Sequence, residues 1–158
     1  VSVHNNDKVA FVTQTTLSKT DMWGILAILR HRFPSIQGPK TNICFATQNR
    51  QDAVKQLAEN SDLVFVVGSK YSSNSNRLKE VALRCGVEAY LIDAYGDIEL
   101  TWLKGKKRIG ITAGASAPER LVEGVCKWLL DHGAVDVEEL SGISENIHFK
   151  PAELIVRK

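Results

Sequence analysis

The sequence predicts an α/β protein with parallel strands, and three observations support this. Short apolar runs recur at Lys8–Thr13, Leu63–Val67, Glu88–Asp93 and Lys107–Thr112. Between them lie stretches with helical spacing of apolar residues, such as Arg77–Leu83 and Pro118–Asp131. That alternation is the pattern of strand–helix–strand units. The third observation concerns the passages from strand into helix, Gln14–Ser18, Gly68–Asn76 and Ala113–Pro118, which are rich in Gly, Ser, Thr and Asn. Right-handed crossovers would gather these loops on one rim of the sheet, where open α/β sheets bind ligands.

Composition bounds the remaining possibilities. The 158 residues are 44% hydrophobic and 24% charged, as in an ordinary globular chain. Twenty basic residues against eighteen acidic leave a net charge of +2, with no Lys/Arg block of the kind that grips nucleic acid. No apolar run approaches the ~18 residues of a membrane span, and no signal peptide is visible. The chain opens Val1-Ser2-Val3-His4 without an initiator Met, which suggests a piece of a longer polypeptide. Three widely separated cysteines make no disulfide framework and point to a reducing compartment.

Taken in order, Lys8–Thr13 reads as a buried strand. Ser18 or Thr20 then caps a helix that carries Ile25, Leu26, Ile28 and Leu29 and ends by Phe33-Pro34. Gly38-Pro39 marks a boundary between lobes. After a half-apolar stretch, Thr41–Thr47, a helix over Gln48–Glu59 has Ala53, Val54, Leu57 and Ala58 as its inner stripe. The strand Leu63–Val67 leads through the polar loop into a helix reaching Arg84, closed by Gly86 in a left-handed cap. A strand, Glu88–Asp93, a short acidic helix at Asp97–Trp102 and a strand, Lys107–Thr112, come next. Pro118 at the first helical position opens the helix to Asp131, which carries Leu121, Val122, Val125, Cys126, Leu129 and Leu130 on one face. A last strand is expected at Val135–Leu140, followed by a tail.

Chemistry concentrates on the rim. A strand that ends in Gly and enters a helix through Ser72, Ser73 and Asn74 is suited to an anion. The helix N-terminus offers unpaired N–H groups and partial positive charge, and the side chains add donors. No G-x-G-x-x-G or Walker motif is present, which disfavours a dinucleotide or nucleoside triphosphate. No G-x-S-x-G elbow is present either, so a catalytic Ser-His-Asp set has no support. Cys126, on an apolar helix face, reads as a packed thiol, and Cys85 as a residue beside a helix cap. Cys44 stands on the rim before a helix start, where a thiolate is favoured; metal ligand and packed thiol are both open. His4, His31, His132 and His148 show no metal-ligand spacing, and His31 and His132 sit where an imidazole meets the last carbonyls of a helix. Trp23, Trp102 and Trp128 read as packing residues.

Four segments in order, Thr13-Gln14-Thr15-Thr16-Leu17-Ser18, Ile43-Cys44-Phe45-Ala46-Thr47-Gln48-Asn49-Arg50-Gln51, Val67-Gly68-Ser69-Lys70-Tyr71-Ser72-Ser73-Asn74-Ser75-Asn76-Arg77-Leu78 and Thr112-Ala113-Gly114-Ala115-Ser116-Ala117-Pro118, carry a family resemblance. Together they resemble 4-hydroxy-3-methylbut-2-enyl diphosphate reductase, from about Lys8 to Phe149. The resemblance implies a pseudo-threefold arrangement of α/β lobes around a 4Fe–4S cluster. It also implies an allylic diphosphate substrate reduced to isopentenyl and dimethylallyl diphosphates, the last step of the non-mevalonate isoprenoid pathway. Electrons would come from a donor such as flavodoxin or ferredoxin.

On that resemblance Cys44 is a cluster ligand. Ser72, Ser73, Asn74 and Ser116 hold the diphosphate, and Thr15 and Thr16 sit beside the substrate hydroxyl. Residues 1–40 would end the second lobe, 41–140 form the third, and 141–158 make the carboxyl-terminal tail. The other cluster cysteines, the histidines and the acidic proton donor belong to an amino-terminal half whose motifs are missing here. The fragment alone is therefore expected to be inactive. Neither nucleic acid nor membrane is an expected partner, and the expected location is the bacterial cytoplasm, with a plastid-type organelle as alternative. The competing functional class is a non-enzymatic phosphate-binding α/β module.

Overall fold

A computed structural model describes Val3 and residues 8–17, 19–39 and 45–140. Ordered along the chain are α1 (Lys19–Arg32), α2 (Phe45–Glu59), β1 (Leu63–Val67), α3 (Ser73–Arg84), β2 (Glu88–Ile92), two short 3-10 turns at Tyr95–Asp97 and Leu100–Leu103, β3 (Ile109–Ala113) and α4 (Glu119–Asp131).

The three strands form one parallel sheet in the order β2-β1-β3, with Val67 level with Ile92 on one side and Ala113 on the other. Every residue of β1 is buried, because it is the central strand and both faces are covered. Val64 and Val66 point into one cluster with Val54 of α2 and Leu78, Val81 and Ala82 of α3. Leu63, Phe65 and Val67 point into the other, with Ile98 and with Val125 and Leu129 of α4. The two-residue period of an extended strand thus divides a continuous apolar run between two cores. Tyr90 and Trp102 stack at 3.8 Å beside Phe65, so the 3-10 turns close the second core.

The chain before α2 behaves differently. The expected strand Lys8–Thr13 is not formed. Among the described residues its strand pairing is a single parallel bridge between Ala10 and Gln37, with Phe11 N–H on the Gln37 carbonyl at 2.9 Å. Phe11 lies against Gly38 and faces Met22 and Leu26 of α1 across a small cavity, and Val12 is 91% exposed. On α1, Met22 and Leu26 are buried, whereas Ile25, Ile28 and Trp23 are exposed; the expected packing of Trp23 does not occur. Ser18 lies outside the described residues, and Thr20 is inside α1 rather than at its cap.

Elsewhere the corrections are local. The second helix starts at Phe45, before the expected Gln48, and its inner stripe is Thr47, Gln51, Val54 and Ala58. Ala53 is exposed, since those four positions share one helical face and Ala53 does not. Pro118 caps α4 from outside instead of occupying its first turn. Val135–Leu140 forms no strand. Val135 is 97% exposed, and the Val137 N–H bonds its own neighbour, the Asp136 carboxylate, at 2.8 Å. Gly86 has φ +83°, the left-handed cap the sequence predicts for α3. The tail from 141 lies outside the described residues.

Candidate functional site

The middle position of β1 creates the site. The chain leaves β1 for α3 on one face of the sheet and leaves β3 for α4 on the other, so the loops diverge above the adjacent ends of β1 and β3. A divergence of this kind opens a crevice at the carboxyl rim. Glycines begin both loops. The Gly68 N–H continues the ladder to the Ile92 carbonyl, and the Gly114 N–H continues it to the Val67 carbonyl, each at 2.9 Å.

From Gly68 the loop is built by its own side chains. Ser72 N–H donates to the Ser69 carbonyl at 2.9 Å, and the Ser69 hydroxyl accepts from the Tyr71 N–H at 3.2 Å. Asn76 reaches back with its amide to the carbonyls of Lys70 at 2.7 Å and Ser72 at 2.9 Å. Ser72 is the N-cap of α3, its Oγ accepting from the Ser75 N–H at 3.2 Å. A hydroxyl that accepts still has its hydrogen to donate, so the cap leaves Ser72 able to meet an anion. The N–H groups of Ser73 and Asn74 belong to the first helical turn, which has no earlier carbonyl to bind. Asn74 Nδ2 is buried without a partner. On the other side of the crevice, Ala117 N–H closes a turn onto the Gly114 carbonyl at 3.0 Å and places Ser116 at its exposed corner.

The donors around this rim are largely neutral. Arg77, one turn into α3, faces Asp21 at 2.9 Å and Glu80 at 2.6 Å, so its charge is already balanced. What remains is a set of hydroxyls, amide and backbone N–H groups at a positive helix end, with the Lys70 ammonium over the Tyr71 ring on the outer side of the loop. That combination holds phosphate groups without a dedicated cation.

Of the residues singled out from sequence, Ser72, Ser73 and Asn74 come together at the start of α3, with Ser116 on the neighbouring loop. Thr15 and Thr16 form a turn before α1; Thr15 is exposed and Thr16 half-buried. The ties from that segment to the sheet unit run through Gln51 Nε2 on the Leu17 carbonyl at 3.4 Å and through Asp21, which binds Arg77 and Arg84. The Asp21 contact raises the Arg84 pKa, its hydrogen bond being the chief cause. Cys44 lies outside the described residues. Cys85 is exposed, and Cys126 is half-buried on α4, its thiol pKa raised by burial. His132 Nδ1 bonds the Trp128 carbonyl at 2.7 Å, the helix-end role expected of it.

Two buried polar side chains have no counterpart among the residues the sequence singles out. Ser75 is fully buried and its Oγ has no partner. The signal was its spacing, because positions 75, 78 and 82 form the inner stripe of an amphipathic helix and Ser75 is its only hydroxyl. Gln48, whose Oε1 is also buried and unpartnered, was likewise unremarked.

Comparison with known proteins is decisive about kinship. Residues 1–130 match the family described as LytB protein. This chain belongs to the LytB family. The LytB chain is 58% identical to a 4-hydroxy-3-methylbut-2-enyl diphosphate reductase of Desulfotalea psychrophila over 98% of its own length and 50% of the relative's. It is 59% identical to the reductase of the same name from Pseudomonas fluorescens, covering 99% of this chain and 51% of that one. Among solved structures it is similar to the E-1-hydroxy-2-methyl-but-2-enyl-4-diphosphate reductase of Plasmodium falciparum, with 35% identity and a TM-score of 0.74. That match covers 81% of this chain and 41% of the other. A second solved reductase, titled as the terminal enzyme of the non-mevalonate pathway, gives 30% identity and a TM-score of 0.54 over 78% of this chain and 43% of its own. The LytB chain therefore spans about half the length of the curated relatives it matches.

Among the described residues no three His, Cys, Asp or Glu side chains gather to hold a metal, and no helix is long and apolar enough to cross a membrane. Cys44, the one ligand the sequence proposes, stands outside the residues so described.

Proposed function

We propose that this chain is the diphosphate-holding part of a 4-hydroxy-3-methylbut-2-enyl diphosphate reductase. In this reading residues 1–40 end a second lobe, 41–140 form the third, and 141–158 are its tail. The observation that carries the proposal is the meeting of two loops at the adjacent ends of β1 and β3, with Ser72, Ser73 and Asn74 at the start of α3 and Ser116 on the turn after β3. Their role is to bind and orient. The hydroxyls and the Asn74 amide donate to phosphate oxygens, and the first-turn N–H groups of α3 hold the negative charge. Thr15 and Thr16 would face the hydroxyl end of the substrate, and Cys44 would give one thiolate to a 4Fe–4S cluster completed by residues outside this chain. A cluster so held would supply one-electron redox chemistry, fed by a donor such as flavodoxin or ferredoxin. The setting in this reading is the bacterial cytoplasm, with a plastid-type organelle as the alternative; the curated relatives named above are bacterial and one similar solved structure is from Plasmodium falciparum.

Two measurements test this. Titrating the chain with inorganic diphosphate should show one site, weakened about a hundredfold or more by Ser72→Ala combined with Asn74→Ala, since each lost charge-assisted bond removes roughly 1.5–3 kcal/mol. Undiminished binding would refute the cradle. In the full-length polypeptide, Cys44→Ser should lower iron content and reductase activity together, and unchanged iron would remove Cys44 from the ligand set. Diphosphate binding with no reductase activity in the full-length polypeptide would favour the phosphate-binding module instead.

A further inference from the structure

The Ser75 hydroxyl occupies an unusual place. It is fully buried and unpartnered, on a helix face otherwise lined by Leu78, Val81 and Ala82. A hydroxyl in that condition stabilises nothing by hydrogen bonding and costs free energy relative to a methyl. What it does is fill space that two glycines leave open. A Cβ added at Gly68 would stand 2.4 Å from Ser75 Oγ, and one added at Gly114 would stand 2.1 Å from it. The oxygen is therefore seated in a slot formed by the residues that end β1 and β3. Those residues begin the two loops that carry Ser72–Asn74 and Ser116, and Ser75 is itself bonded through its N–H to the Ser72 cap.

We infer that Ser75 is a positioning residue for the anion site, its hydroxyl acting as the spacer that sets the α3 start against the Ser116 turn. The inference rests on the diphosphate reading above and adds a residue to it. Ser75 acts through Ser72 and Gly114, beneath the ligand.

The geometry supplies its own test. With Ser75→Ala, the nearest atom to a Cβ at position 114 is the Cβ of residue 75 at 3.4 Å, an ordinary contact. A methyl on residue 114 then stands close to where the oxygen was. Three variants of the full-length polypeptide, Ser75→Ala, Gly114→Ala and the double substitution, are compared for Tm, for affinity toward inorganic diphosphate and for KM against kcat. Ser75→Ala should keep its Tm yet bind diphosphate about tenfold more weakly, with KM raised more than kcat is lowered. Gly114→Ala should lose both Tm and affinity, and the double variant should regain both, a coupling that independent sites would not show. Ser75→Ala with unchanged affinity and KM, while Ser72→Ala weakens binding, overturns the inference and leaves the diphosphate reading standing. A double variant that regains Tm but still binds weakly also overturns it, since the hydroxyl would then contact the anion itself. A wild type that ignores diphosphate sinks both.

Discussion

Ile92 and Ile28 carry the same side chain and meet opposite fates. Ile92, at the end of β2, is 1% exposed beneath α4 and the 3-10 turns; Ile28, on α1, is 71% exposed. The difference is one of covering layers. From α2 to α4 the chain has a sheet with helices on both faces, and its apolar residues are shared between two cores. Before α2, one helix and one bridge stand against the α2–α3 side through Asp21 and Gln51, and Trp23, Ile25 and Ile28 of α1 are left exposed. An amphipathic pattern states that a face will be buried. It does not state by what.

The contrast can be broken most sharply in the core. Phe65→Ala should destabilise the chain by about 3–5 kcal/mol in a denaturant melt, as for other buried aromatic truncations, because Phe65 is fully buried between Tyr90, Trp102 and α4. Ile28→Ala in the 158-residue chain should change stability by less than about 0.5 kcal/mol, as exposed substitutions do. In a full-length polypeptide whose second lobe covers α1, the same change should cost about 2–5 kcal/mol. Equal small effects in both would argue that α1 stays uncovered.

A smaller effect probes the loop that joins the sheet to the site. Ser72→Ala removes the N-cap of α3 and should cost about 1 kcal/mol in the melt, with loss of diphosphate affinity alongside. Acid then tests the ties at the opposite rim. The backbone N–H groups of Lys107 and Arg108 hold the Asp62 carboxyl below its usual pKa. The Lys106 ammonium, with the Tyr90 hydroxyl second, does the same for Glu88. Because both folded values lie below the unfolded ones, their stabilisation is present above the ordinary carboxylate pKa. It is lost as pH falls through the folded values. The melting temperature should therefore decline below about pH 4, and Asp62→Ala should flatten that decline. An unchanged acid profile in Asp62→Ala would show that the Asp62 contacts carry no stability.

Much of the sheet unit was legible because its signals are local. Leu63–Val67 is apolar at every position, Gly86 stands where a helix must stop, and Ser72 is the residue type that caps one. The misreadings fell where a signal depends on a neighbour. Lys8–Thr13 and Val135–Leu140 have strand composition, but among the described residues the first finds a single bridge to Gln37 and the second no strand partner, and Trp23 had no layer to pack against. Composition records what a segment could bury, and partners decide whether it does.

The sequence by itself determined the order of elements, the anion-suited loop at Ser72, Ser73 and Asn74, and the family resemblance, because each rests on residues adjacent in the chain. Only the tertiary structure decided that β1 would be central and that Gly68 and Gly114 would end neighbouring strands. Only it decided that Ser75 would sit between them. Those facts join residues up to forty-six positions apart in the chain, from Gly68 to Gly114. Parallel pairing across a crossover is what brings them into contact, and no local pattern encodes that distance.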